Sequence, residues 1–201
     1  MPDCPGRRSL LVLMGCVAAP SVLPPRAAAV GSDVLDIAAL MQAMAAVPER
    51  HQRFREERRF TALSFPLILT GTLHYWRPNR FEKRTETPER ELLKVDGDRI
   101  ELTVGNEPTQ HIDLGRSPEM QALVNAFRAP LSGDLATLQR YFRMEGSGSP
   151  ERWLLKLQPL EPRAARLLRE VRLGGVAAEV RSTVWVQGNG DEYAMQTEPL
   201  P

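Results

Sequence analysis

The sequence predicts a mainly β fold (α+β), a large antiparallel sheet with helices covering one mouth or face. Three observations predict it. Residues 67 to 77 alternate, with Leu67, Leu69, Gly71, Leu73, Tyr75 and Arg77 on one face and Ile68, Thr70, Thr72, His74 and Trp76 on the other. Asp96-Gly97-Asp98 is a hairpin turn signal, and Ile100, Leu102 and Val104 alternate with polar residues beyond it. Between residues 118 and 142 the apolar period changes from two to about 3.6, with strand signals on both sides.

The elements follow in order. Ser32 or Asp33 can cap a first helix, in which Val34, Ile37, Met41 and Met44 recur at helical spacing and which Pro48 ends. Residues 52 to 62 read as a charged strand with Phe54 and Phe60 on one face. Gly71 inside the next strand predicts a bend or bulge. Strands follow at 80 to 87, at 90 to 96, beyond the Asp96-Gly97-Asp98 turn, and near 109 to 114. Ser117 is suited to cap a helix with Pro118 at its first position. Met120, Leu123, Val124 and Phe127 then form a one-sided stripe. Pro130 and Gly133 predict a break before a second short helix carrying Leu135, Leu138 and Phe142. Gly146-Ser147-Gly148-Ser149-Pro150 reads as a mobile loop, and Trp153, Leu155 and Leu157 as the start of a second set of strands. Residues 163 to 169 read as a helical turn, and Gly174-Gly175 as a chain reversal. Residues 177 to 187 and 191 to 197 make a last hairpin around Gly188-Asn189-Gly190. The expected total is about nine to eleven strands, with no internal repeat and no linker that divides the chain.

At 201 residues, 42% hydrophobic and 25% charged, the chain is long enough for one domain with its own core. A net charge of +1 gives no basic field of the kind that binds nucleic acid. The first 29 residues read as a secretory signal, leaving residues 30 to 201 as one domain. Arg7 and Arg8 form a short basic region, residues 9 to 19 are apolar, and Ala27-Ala28-Ala29 offers a small-residue cleavage site. Two other readings are a twin-arginine signal at Arg7-Arg8 and a lipid-anchored N-terminus at Cys16. Cleavage after Ala29 leaves 23 basic and 24 acidic residues and removes both cysteines, Cys4 and Cys16.

Catalytic chemistry is not legible. His51, His74 and His111 stand singly, with no metal-ligand spacing. No nucleophile elbow, P-loop or dinucleotide fingerprint occurs. Glu56, Glu57, Glu82 and Glu86 read as solvated strand positions, and the run from Arg50 to Arg59 as a charge ladder across strands. Arg77 stands apart because its parity points it inward with Leu73 and Tyr75. There it either latches backbone carbonyls of a covering helix or snorkels to solvent.

Gly71-Thr72-Leu73-His74-Tyr75-Trp76-Arg77-Pro78-Asn79-Arg80-Phe81 resembles the G-x-L-x-x-x-R-P-x-x-F segment of the LolA family, periplasmic carriers of outer-membrane lipoproteins. Pro88 with Val95-Asp96-Gly97-Asp98-Arg99, and Trp153-Leu154-Leu155-Lys156-Leu157-Gln158-Pro159, are similar to two further family stretches. The resemblance implies an incomplete, strongly curved antiparallel β-barrel with a helical lid over an apolar cavity. It implies a non-enzymatic, periplasmic, monomeric carrier without cofactor or metal. The passenger is the acyl part of a lipoprotein, or a non-protein amphiphile such as a polyene or glycolipid. An inner-membrane release complex and an outer-membrane acceptor are the implied partners. The resemblance makes Arg77 the lid latch and Phe81 a cavity-mouth residue. Lys83 or Arg84 stands where the family has an aromatic, residues 105 to 115 lack its aromatic-rich strand, and the sequence ends at Pro201 before its C-terminal extension. The expected acyl-binding cavity uses Phe54, Phe60, Leu69, Leu73, Tyr75, Ile100 and Leu102 from strands. Leu123, Phe127, Leu138 and Phe142 close it from the helical region.

Overall fold

The computed structural model describes residues 34–116 and 118–200. The signal segment, Cys16 and the expected caps Ser32, Asp33 and Ser117 lie outside these residues. Helix α1 (Ile37–Ala45) starts later than its apolar spacing predicts. Asp36 caps it by accepting from the Ala39 N–H, while Val34 makes an isolated bridge with Ser147. Six strands follow: β1 (Glu49–Arg59), β2 (Leu67–Trp76), β3 (Arg80–Thr87), β4 (Glu91–Asp96), β5 (Arg99–Val104) and β6 (Gln110–Asp113). A helical segment holds α2 (Pro118–Ser132) and α3 (Leu135–Tyr141). The chain ends with β7 (Phe142–Ser149), β8 (Arg152–Pro159), α4 (Pro162–Leu167), β9 (Leu168–Val176), β10 (Glu179–Gln187) and β11 (Glu192–Pro199).

The strands form one antiparallel sheet of eleven, in the order β6-β5-β4-β3-β2-β1-β11-β10-β9-β8-β7. Two meanders, β1 to β6 and β7 to β11, are joined by pairing of β1 with β11. The sheet is not closed. Its two edges are β6 and β7, the strands that the helical segment connects in sequence. Curvature follows from one ring. Phe127 of α2 lies 4.5 Å from Phe81 on β3 and 5.9 Å from Trp185 on β10, centroid to centroid. Three strands separate β3 from β10, so a flat sheet would hold them roughly 19 Å apart. The sheet therefore wraps around α2, as an incomplete barrel must.

Local chemistry explains where the elements bend and stop. At Gly71 the β2–β3 register shifts, and an added Cβ would lie 1.9 Å from the Arg84 carbonyl oxygen. Only glycine allows that approach, which is the bulge the sequence predicts. Pro130 does not break α2, because it sits in the last turn, where the helix is about to end anyway. The stop is Gly133, at φ +70°, packed against the last turn of α1.

Three further expectations are corrected. Gly146-Ser147-Gly148-Ser149 is not a loop but the end of β7, paired residue for residue with β8, and Gly146 makes room for Leu35 and Ile37. Gly174 and Gly175 lie inside β9, where Gly175 lets the Trp153 ring lie against the strand and Gly174 leaves room for the Ser182 hydroxyl; the reversal falls at Ala177 and Ala178. Strand β1 ends at Arg59, so Phe60 is off the sheet and packs edge-on against Tyr193, 5.7 Å between centroids.

Candidate functional site

A cavity of about 350 Å³ lies between α2 and the concave face of the sheet. Met120, Leu123, Val124 and Phe127 of α2 form one wall, since positions i, i+3, i+4 and i+7 share a helix face. Phe81, Leu93, Val95, Ile100, Leu102 and Ile112 form the wall on the β3 to β6 side, and Leu168, Trp185 and Met195 the opposite wall. The lining is mostly aliphatic and aromatic, with Gln187, Tyr193 and a group of charged side chains described below.

The expected cavity residues divide into two sets. Ile100, Leu102, Leu123, Phe127 and Phe81 meet in this space. Phe81 stands at the junction with a neighbouring void of about 20 Å³, too small for a ligand, where Leu73 and Tyr75 lie. Phe54, Leu69, Leu138 and Phe142 are buried in packed core and do not line the cavity. Phe54 lies beside Lys83, which does line the cavity and whose ammonium sits 4.8 Å from the ring centroid. Phe60 lies outside it as well.

The charged group is a feature that the sequence hides. The inward face of β1 carries Arg50, Gln52, Phe54 and Glu56, all buried, while the outward residues between them are exposed. Glu56 is only 3% exposed and Lys83 8%, so neither is the solvated position that its residue type suggests. Lys83 forms a close ion pair with Glu56, and Arg58 donates from Nε to Glu56 Oε1 at 2.7 Å. Lys83 on β3 and Glu56 on β1 flank β2, and the register puts Gly71 between them, where no side chain obstructs the contact. Burial alone would raise the Glu56 pKa, but Lys83 and Arg58 outweigh it and hold the carboxyl below its usual range.

That direction fixes a pH dependence. A carboxyl with a folded pKa below its unfolded value stabilises fully above the unfolded value, roughly 4.3 for Glu. The contribution disappears as pH falls from there through the lower folded pKa. Urea midpoints measured from pH 6 down to pH 3 drop for the native sequence, and the drop is shallower for Glu56→Gln.

Two arginines hold the helices. Arg50, 8% exposed, donates to Leu131 O of α2 at 2.9 Å, to Ala178 O at 3.1 Å and to Met44 O of α1 at 3.3 Å. Its guanidinium lies 5.8 Å from the Tyr75 ring centroid. Arg77, the residue that the sequence marks as a latch, is exposed and donates to Ala45 O, the last carbonyl of α1. It fastens α1, and among the described residues its guanidinium makes no hydrogen bond to α2 or α3. Parity was the available signal for Arg50, which shares the even positions of β1 with Phe54. On the outer face, His51 and His74 are cross-strand partners stacked at 4.6 Å, so two histidines that stand apart in sequence meet.

The family described as outer membrane lipoprotein carrier protein LolA-like matches residues 27–196 of the chain. Among solved structures, the chain is similar to a LolA superfamily protein from Nitrosomonas europaea. The two are 6% identical over 82% of this chain and 91% of that one, with a TM-score of 0.43. A DUF1329 family protein from Desulfovibrio piger is 8% identical over 81% and 89%, with a TM-score of 0.43. A candidate outer membrane lipoprotein-sorting protein domain from Vibrio parahaemolyticus is 9% identical over 82% and 90%, with a TM-score of 0.44. No curated protein matches the sequence.

Proposed function

The chain belongs to the LolA-like family of outer membrane lipoprotein carrier proteins, and from that premise we propose that it carries an acylated passenger through the periplasm with the acyl part hidden beneath α2. The observation that supports this reading is the apolar cavity of about 350 Å³ under a one-sided helix. Ligand pockets start at roughly 300 Å³, and each methylene taken from water contributes about 0.8 kcal/mol. An acyl chain is therefore insoluble alone and well held there. The passenger is a lipoprotein in the family's manner, or a free amphiphile in the same space. The carrier works without catalysis or cofactor, as a monomer exported by the segment 1–29, and it takes its load from an inner-membrane complex and gives it to an outer-membrane acceptor.

In this proposal α1 and α2 move together as the lid. Arg50 and Arg77 hold the closed state through backbone carbonyls, and Phe81 guards the cavity edge by its contact with Phe127. Filling the cavity tests the reading. Leu123→Trp occupies the space with an indole, so uptake of a fluorescently acylated peptide falls at least tenfold while the thermal melt holds or rises. Unchanged uptake in that variant, or no uptake by the native protein, contradicts the proposal.

A further inference from the structure

We propose that the cavity accepts a single-chain amphiphile with an anionic head, and that the head seats against Lys83 and Arg58 while the chain lies along α2. This rests on the carrier reading and adds the class of passenger. The first argument is charge. The cavity wall holds three cations, Arg58, Lys83 and Arg128, against one carboxylate, Glu56. Arg128 gives two of its donors to neutral acceptors, Gly97 O at 2.8 Å and Asn125 Oδ1 at 2.9 Å, and adds its own positive charge to the wall. Glu56 alone faces both Lys83 and Arg58, so one positive charge is uncompensated at that end of the wall. Glu91 also bears on Lys83, but it is not on the cavity wall.

The second argument is donors. Lys83 has three N–H groups and, among the described residues, gives one hydrogen bond, to Glu56. Arg58 has five and, among the described residues, gives one hydrogen bond, from Nε to Glu56, with its guanidinium 5.1 Å from the Tyr193 ring centroid. Both keep donors for an incoming anion, and Glu56 holds the two cations side by side. Pure shielding of hydrocarbon needs none of this, since an apolar pair of similar volume is as stable as a buried ion pair or more so. A charged cluster in an apolar cavity is useful to a ligand with a polar end.

The third argument is size. A methylene takes about the volume of a liquid water, roughly 30 Å³. About 350 Å³ therefore holds about a dozen carbons, the length of one chain.

Calorimetric titration of the native protein with dodecanoate, dodecanol and dodecyltrimethylammonium, all below their aggregation limits, tests this directly. Dodecanoate binds one to one and at least tenfold tighter than the other two. In Lys83→Met, with the melt as folding control, that preference shrinks to under threefold. Equal affinity for dodecanoate and dodecanol in the native protein overturns the head-group assignment and leaves the carrier reading standing. A stoichiometry of two or more overturns the single chain. Failure of all three to bind overturns the carrier reading, and this proposal with it. Should Lys83→Met not fold, the comparison of heads on the native protein decides alone.

Discussion

Arg50→Leu lowers the unfolding free energy by about 3–5 kcal/mol, and Arg77→Leu by less than about 1 kcal/mol. The difference follows from burial and partners. Arg50 is buried and serves three carbonyls on three separate segments: Leu131 at the end of α2, Met44 on α1 and Ala178 in the turn between β9 and β10. A leucine leaves these carbonyls without their charged donor, and each buried, unsatisfied group costs roughly 1–3 kcal/mol. Arg77 is exposed, and the carbonyl that it serves can turn to water instead. Lysine at position 50 recovers part of the loss, because an ammonium lacks the planar fork that reaches several acceptors at once. Hydrogen exchange adds the local readout. Amides of the last turn of α2 exchange faster in Arg50→Leu and at the native rate in Arg77→Leu. Equal effects of the two leucine variants would return the latch to Arg77.

Glu56→Leu costs about 3–5 kcal/mol, the usual penalty for leaving a buried charge without its partner. The stranded charge is Lys83, 8% exposed and reaching across β2. Adding Lys83→Met recovers part of that loss, since two apolar side chains of similar size replace the buried pair and only the partly exposed Arg58 is left without its carboxylate. Chemical denaturation of both single variants and the double variant gives the coupling energy. Additive losses would mean that the two residues do not interact, and that Arg58 alone neutralises Glu56.

These variants concern the part of the molecule that the sequence conceals. The inward parity of β2 was legible because Leu69, Leu73 and Tyr75 are apolar and their neighbours are not. The α2 stripe was legible for the same reason, as were the bulge at Gly71 and both late hairpin strands. On β1 the pattern fails, because its inward face is Arg50, Gln52, Phe54 and Glu56. A hydrophobicity count assigns such residues to water. Their burial depends on β11 pairing with β1 across nearly the whole chain, and on Lys83 meeting Glu56 over a glycine, neither of which has a local signal. Glycines misled in both directions. Gly146, Gly174 and Gly175 serve close packing inside strands rather than turns, and only a neighbour's bulk, such as the Trp153 ring, reveals that use. Within the cavity, the helix wall and the β5 wall were anticipated, while the opposite wall with Trp185 and Met195 was not. Its distance in sequence from α2 hides it, and only the curl of the sheet brings it near.

The central claim is that the space beneath α2 is occupied by a passenger's hydrocarbon. Native mass spectrometry of the protein, exported in its own cell and isolated without detergent, tests it most directly. The account predicts a polypeptide that begins near Val30 and carries one non-covalent amphiphile, with the adduct absent from Leu123→Trp prepared in the same way. A bare polypeptide in every preparation, or an adduct retained in full by Leu123→Trp, would contradict it.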